Sequence, residues 1–222
     1  MKVLSIDIGI KNLAHCLFEV DETLRIQDWS IINLDNSICK CSKKATLQLG
    51  DELWCKPCVF KSSELITQCT KLITGTKDEM EKALKKKVKP IPPPTLVELG
   101  KQIMIHYKDL SADVVLIENQ IGPLASKMKA IQGMVIQYWL MRNAKVECIS
   151  ACNKLKLFHT GKTTYTQRKK LSVHYTTQLL TLNQLETGFL KNKKKDDLAD
   201  TFLQGVWYFH NNNCGLLKIN CS

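Results

Sequence analysis

Apolar positions follow two rhythms along the chain, and the change from one to the other lays out the fold. Residues 3–8 form a run that is apolar except for Ser5 and Asp7, the pattern of a strand buried on both faces. Gly9 to Asn12 then read as a turn into a mixed run at 13–20, and a third run at 24–34 completes an antiparallel meander. From 36 to about 59 four cysteines break the rhythm, which marks an insertion. Residues 62–87 have helical composition and end in Lys85, Lys86 and Lys87, after which Pro90, Pro92, Pro93 and Pro94 exclude regular structure. Thr95 is placed to cap a helix over 96–107, which leads into a strand over 113–118. A helix over 125–141 follows, with Met128, Ile131, Val135 and Tyr138 on one apolar face, then a strand over 146–150. Helices from 164 to about 182 and from 196 to about 210 close the chain. A meander followed by strands alternating with helices predicts the α/β class, with a mixed five-stranded sheet flanked by helices.

This order of elements is that of the ribonuclease H-like architecture. A chain of 222 residues has room for one sizeable core and a small inserted module, so the expected plan is one domain over 1–222 with a ribbon inserted at 36–60. With 44% apolar and 24% charged residues it reads as globular. No apolar run approaches the ~18 residues of a membrane span, and a buried strand from the third residue predicts no leader, so an intracellular protein with no membrane partner is expected. The net charge of +11 is concentrated: residues 121–200 hold 14 Lys and Arg against 5 Asp and Glu. A basic excess gathered around acids suits a polyanion, because phosphate contacts release counterions. Six of the ten cysteines, Cys16, Cys69, Cys148, Cys152, Cys214 and Cys221, lie mostly in apolar or mixed stretches and read as small hydrophobes with no chemistry.

Four acids stand at the edges of apolar runs: Asp7 in VLSIDIG, Glu118 in DVVLIEN, and Asp197 and Asp200 in KKKDDLAD. On the first strand Val3, Ser5 and Asp7 share a face, and a lone Asp there needs a positive partner. Gly9 would let a phosphate or metal approach the backbone closely. Glu118 holds the same place at the end of its run, so neighbouring parallel strands would set the two carboxylates side by side at the carboxyl edge of the sheet. Asp197 and Asp200 share a helix face, although Asp196 and Asp200 would serve equally by spacing, and Asp196 also suits a helix start. Like charges one turn apart repel unless a cation lies between them. Such a cluster would hold two Mg²⁺ or Mn²⁺ ions ~4 Å apart for in-line displacement at a phosphate, the layout of a metal-dependent nuclease. A lysine beside the phosphate would stabilise the growing charge, and Lys169 and Lys170 in YTQRKK are the candidates. Lys11, Lys127, Lys162, Arg168 and Lys194 are the candidate DNA-phosphate contacts.

Together SIDIGIKNLA, LIENQ, YTQRKK and KKDDLAD, in that order, resemble the RuvC-type Holliday junction resolvases, most closely the eukaryotic mitochondrial and large DNA virus branch of poxviruses and iridoviruses. The likeness spans the chain apart from the cysteine insert. It implies a homodimer that binds four-way DNA junctions and nicks them symmetrically with Mg²⁺ or Mn²⁺. It also implies metal ligation by Asp7, Glu118, Asp197 and Asp200, a catalytic lysine in the RKK segment, and dimerisation through the helix after the central Glu. Lacking transit features, the chain is expected in a viral factory, the host cell or the nucleus rather than a mitochondrion. The alternatives are another ribonuclease H-like nuclease acting on RNA or hybrid duplexes, and a non-catalytic zinc-ribbon protein that binds nucleic acid.

The insert departs from that resolvase pattern. Cys39 and Cys41 form C-x-C and Cys55 and Cys58 form C-x₂-C, separated by 13 residues. Two thiolate pairs at that spacing predict a closed tetrahedral site for structural Zn²⁺. Lys40, Lys43, Lys44, Lys56 and Lys61, with Trp54 and Phe60, surround the cysteines.

Overall fold

The computed structural model describes residues 1–49, 51–61, 82, 85–86, 88–120, 126–185, 187–192, 194–214 and 218. The chain divides into two compact units, Met1–Leu34 with Thr95–Ser222, and Asp35–Pro94.

In the first unit β1 (Lys2–Asp7), β2 (Leu13–Val20) and β3 (Leu24–Ile32) form the predicted meander, with β3 stopping short of residue 34. Two later strands, β4 (Val114–Glu118) and β5 (Lys145–Ile149), extend the sheet in parallel, giving the order β3-β2-β1-β4-β5. Parallel pairing sets Ile6 opposite Ile117, so Asp7 and Glu118 are the next residues along adjacent strands and leave the sheet at one edge. The helices are α1 (Leu96–Tyr107), α2 (Ser126–Leu140), α3 (Tyr165–Leu182) and α4 (Lys195–Asn211).

Strand alternation divides the core in two. Leu4, Ile6, Val115 and Ile117 pack with Leu99, Ile103 and Tyr107 of α1 and with Ile131, Val135 and Trp139 of α2. On the opposite face Val3, Cys16, Phe18 and Leu116 pack with Leu179 of α3 and Leu198, Phe202, Val206 and Phe209 of α4. Each such side chain contributes about 1.5–3 kcal/mol by leaving water, so the strand ends rest on a platform stabilised from both sides. The inner face of α2 is centred on Trp139 rather than the predicted Tyr138, which is only partly buried. Both are aromatic neighbours in sequence, and apolar spacing alone does not fix the helical phase between them. Two helix starts are closed by reciprocal caps: Thr95 with Glu98, and Thr164 with Gln167.

In the second unit Leu47–Leu49 pairs with both Glu52–Trp54 and Lys89–Pro90, and a short helix, Lys56–Lys61, follows the second cysteine pair. Pro90 therefore joins a strand, against the expectation from the proline run; at a sheet edge its missing N–H costs no ladder bond. The predicted helical segment 62–87 lies outside the described residues except 82, 85 and 86, which are helical.

Candidate active site

The turn after β1 begins at Gly9, where a Cβ would lie 2.3 Å from the Asn12 carbonyl oxygen, so only glycine fits this close approach. Asp7 stands just before that turn and Glu118 ends β4. The remaining acids come from the first two turns of α4, which is fastened beneath them. Gln204, one turn beyond Asp200, is buried, and its Nε2 donates to Ser5 Oγ (3.1 Å), the Leu116 carbonyl (3.2 Å) and the Ile6 carbonyl (3.3 Å). Two facing carbonyls dictate that the amide presents its NH₂ to the sheet. One side chain thus links β1, β4 and α4, the three elements that carry the acids. At the other edge the indole of Trp29 on β3 donates to the Leu198 carbonyl (3.1 Å) and Thr201 Oγ1 (3.2 Å) of α4.

The acids converge on a lysine that the sequence did not reveal. Lys154 Nζ lies 2.9 Å from Glu118 Oε2, 3.1 Å from Asp200 Oδ2 and 3.9 Å from Asp7 Oδ2, and its side chain is only 6% exposed. It follows a 3-10 turn, Ala151–Asn153, that leaves the end of β5, so the neighbouring strand delivers the cation to the edge where β1 and β4 deliver the carboxylates. Its sequence signal is only a lysine just past an apolar strand, in a segment with no helical period.

Burial pushes the Asp7 carboxyl well above its usual range; Lys154 opposes this, while Glu118 and Asp200 push further upward. Glu118 is partly buried, yet a hydrogen bond from Asp7 and the Lys154 ammonium hold its pKa below the ordinary value. Lys154 would be lowered by burial, but the three carboxylates outweigh that and keep it firmly protonated. Asp197 is raised by burial and by repulsion from Asp196, and its Oδ2 is buried without a hydrogen-bond partner among the described residues. Crowded carboxylates, with Asp7 and Asp197 pushed upward, and an orphaned oxygen on Asp197 form a donor set suited to hard divalent cations.

All four acids line one open cavity of about 480 Å³ together with Lys154, Lys156, His159, Tyr165, Arg168 and Lys169. Of the two candidate lysines, Lys169 faces this cavity, paired with Asp196, 4.0 Å from Asp197 Oδ1 and 5.1 Å from the centre of the Tyr165 ring, whereas Lys170 is exposed and does not line it. Asp196 belongs to that ion pair and lies in the first turn of α4, as its position at a helix start suggested, although the N-cap itself is Lys194. Among the candidate phosphate contacts Arg168 lines the cavity, Lys11, Lys162 and Lys194 are exposed, and Lys127 is half-buried on α2. Cys148 and Cys152 are not the buried hydrophobes expected: both are exposed, because β5 ends at the sheet margin, and Cys152 lines the cavity. Cys16 is buried as expected, and Cys69 and Cys221 lie outside the described residues.

In the second unit the sulfur atoms of Cys39, Cys41, Cys55 and Cys58 all lie within 4.8 Å of one another. The backbone N–H groups of Cys41 and Cys55 donate to the Cys39 sulfur and lower its thiol to about 6, while hydrogen bonds with Cys41 and Cys55 push the Cys58 thiol up to about 12.

Comparison with known proteins follows the same lines. Residues 3–121 match the family described as mitochondrial resolvase Ydc2 / RNA splicing MRS1, and residues 96–212 match the poxvirus A22 protein family. An uncharacterized protein of Acanthamoeba polyphaga mimivirus is 30% identical over 135 residues, covering 51% of this chain; the aligned part spans 32% of that protein. The fold is similar to that of the fowlpox virus Holliday junction resolvase, with a TM-score of 0.53, 16% identity, and coverage of 96% of this chain and 99% of that one. For the same resolvase in complex with Holliday junction DNA the TM-score is 0.56, with 17% identity and the same coverage. The sheet and its helices are therefore those of the ribonuclease H-like fold.

Proposed function

The chain belongs to the mitochondrial resolvase Ydc2 / RNA splicing MRS1 family and the poxvirus A22 family, and we propose that it is a Holliday junction resolvase, a metal-dependent endonuclease that nicks four-way DNA junctions. The observation that carries this reading is the meeting of Asp7, Glu118 and Asp200 around Lys154, with Asp197, in one cavity walled by basic side chains. Magnesium or manganese ions held by the four carboxylates would supply an activated water and offset charge on the leaving oxygen. The chain's own residues do the rest. With its carboxylate partners engaged by metal, the Lys154 ammonium would be released to donate to a non-bridging oxygen of the scissile phosphate, while Arg168, Lys156 and Lys169 would hold flanking phosphates from the cavity walls. The Gln204 clamp keeps the carboxylates in place before substrate arrives.

Paired nicks need two such sites, and the active form is a homodimer. Exposed apolar side chains support this: Val97 and Met104, two turns apart on α1, are 68% and 59% exposed, and Ile105, Leu140 and Met141 are exposed as well. Among the described residues no helix is long and apolar enough to cross a membrane. The viral relatives favour action in an infected cell, in a viral factory or the nucleus.

The decisive experiment incubates the protein with a synthetic four-way junction, linear duplex and RNA–DNA hybrid, with and without Mg²⁺ or Mn²⁺. Symmetrical nicks confined to the junction are expected from the wild type. Asp7→Asn should bind the junction at least as tightly as the wild type and leave it intact. Persistent cleavage by that variant, or equal cutting of the linear substrates, would overturn the reading.

A further inference from the structure

The Asp35–Pro94 unit has a chemistry that junction cleavage does not use. Cys39 and Cys41 sit on a tight turn in which Ser42 N–H donates to the Cys39 carbonyl (2.8 Å), Cys39 N–H donates to the Lys43 carbonyl (2.9 Å), and Ser42 adopts a positive φ of 63°. That left-handed residue folds the turn so that both sulfurs point to one side. Cys55 opens the helix Lys56–Lys61 and accepts from the Cys58 and Val59 N–H groups (3.0 and 3.1 Å), so Cys58 returns over Cys55 one turn later. The two pairs meet with Cys41 and Cys55 Sγ 3.6 Å apart and all four sulfurs within 4.8 Å. A zinc ion bound at ~2.3 Å by four thiolates requires sulfurs about 3.8 Å apart, close to the 3.6 Å of Cys41 and Cys55 and inside the 4.8 Å that bounds every pair; a disulfide would need ~2.05 Å.

Among the described residues the apolar core of the unit is small. Its apolar cluster consists, among the described residues, of buried Cys39, Ala45 and Cys55 with partly buried Leu53, Trp54, Cys58 and Ile91. Three of those seven residues are themselves cysteines of the site. A core of that size offsets little of the entropy of ordering the segment. Zinc with four thiolates also carries a net double negative charge, and exposed Lys43 and Lys56 lie beside the ligands in sequence.

We propose that Cys39, Cys41, Cys55 and Cys58 bind one structural zinc ion, and that its binding supplies the folding free energy of the Asp35–Pro94 unit alone, while the sheet unit folds without it. The sheet unit has cores on both faces and contains none of the four ligands.

The test uses the full chain. Elemental analysis should find about one zinc per molecule, and exchange with Co²⁺ should give thiolate charge-transfer absorption and the d–d bands of a tetrahedral site. Stripping the zinc with a chelator and a thiol-reactive mercurial should release about one equivalent and confine limited proteolysis to residues 35–94, leaving fragments on either side intact. Cys55→Ser should lose the metal, the exposed Cys41→Ser should bind it more weakly, and Cys148→Ser should retain it. Absence of zinc, an iron–sulfur chromophore, disulfides among the four cysteines, or protease attack spread equally over both units would each refute the proposal. None of these outcomes depends on whether the sheet unit cleaves junctions.

Discussion

Lys154 is a buried cation whose surroundings are almost entirely anionic: three carboxylates within 4 Å and a side chain 6% exposed. Removing the ammonium would leave the carboxylates to repel one another at close range, and losing one partner of a buried ion pair costs on the order of 3–5 kcal/mol before relaxation. Part of that cost is relieved by proton uptake at Asp7, whose carboxyl burial already pushes upward. We therefore expect Lys154→Met, which keeps the length of the side chain, to lower metal-free stability by about 2–4 kcal/mol in denaturant titration. Divalent metal should restore more stability to the variant than to the wild type, because cations replace the missing positive charge. Junction cleavage should stay low even at saturating metal. A variant as stable as the wild type without metal would show that the ammonium is not what balances the cluster. The contrast between Lys154 and its partners explains what the sequence made legible. Asp7 and Glu118 interrupt apolar runs, and a charge where burial is expected is visible in one dimension. A lysine in an irregular turn resembles any solvated lysine, and only the parallel placement of β5 beside β4 makes it central. Lys169 and Lys170 were inseparable for a related reason: which of two adjacent residues faces a cavity depends on helical phase, set here by the Thr164 cap.

The helix α4 carries two of the acids, and its seat on the sheet fixes where they stand. Its fit is closest at Gly205, where a Cβ would lie 2.3 Å from Phe18 Cε2 and 2.7 Å from Cζ. The Phe18 ring has little freedom to yield, since it packs edge-on against Phe209 at 5.2 Å and against Phe202 at 5.8 Å. Gly205→Ala therefore overpacks a full core and should destabilise the protein by about 1–3 kcal/mol. It should also lift α4 from the sheet beside Gln204, lowering the cleavage rate while leaving junction affinity nearly unchanged. Gly133 on α2 supplies the control, because a Cβ there meets nothing within 4 Å. Gly133→Ala should be neutral or stabilise by up to about 1 kcal/mol, as expected for an exposed helical glycine. Equal thermal midpoints for the two variants would mean that α4 is not held as tightly as this packing implies. Element types and order were readable in advance for the sheet unit, whose strands and helices are marked by apolar runs and spacing, but the short strands Leu47–Leu49, Glu52–Trp54 and Lys89–Pro90 were not. The close α4–β2 contact was not, since a glycine inside a helix gives no sign of which aromatic ring it accommodates.

Charge acts over longer distances than any of these contacts. The chain carries +11, yet the cavity that gathers the four acids is acidic at the floor and basic along the walls, with Lys156, Arg168 and Lys169 around the carboxylates. A polyanion approaching this surface is attracted by the excess and repelled by the floor until cations neutralise it. Affinity dominated by phosphate contacts falls linearly in log–log form with salt, with a slope of roughly −0.9 for each phosphate engaged. If six or more phosphates are held, binding of a four-way junction should weaken on the order of 10³-fold between about 50 and about 200 mM salt. Removing one wall cation, as in Arg168→Ala or Lys156→Ala, should make the slope shallower by about 1 and weaken all junction sequences alike. Asp7→Asn acts in the opposite sense: one negative charge fewer on the floor should tighten metal-free binding slightly and leave the slope unchanged, since no phosphate contact is lost. Titrating a labelled junction at several salt concentrations separates these cases. A wild-type slope near zero would place the binding energy elsewhere than in phosphate contacts, and an altered slope in Asp7→Asn would mean that the carboxylate floor itself helps to seat the backbone.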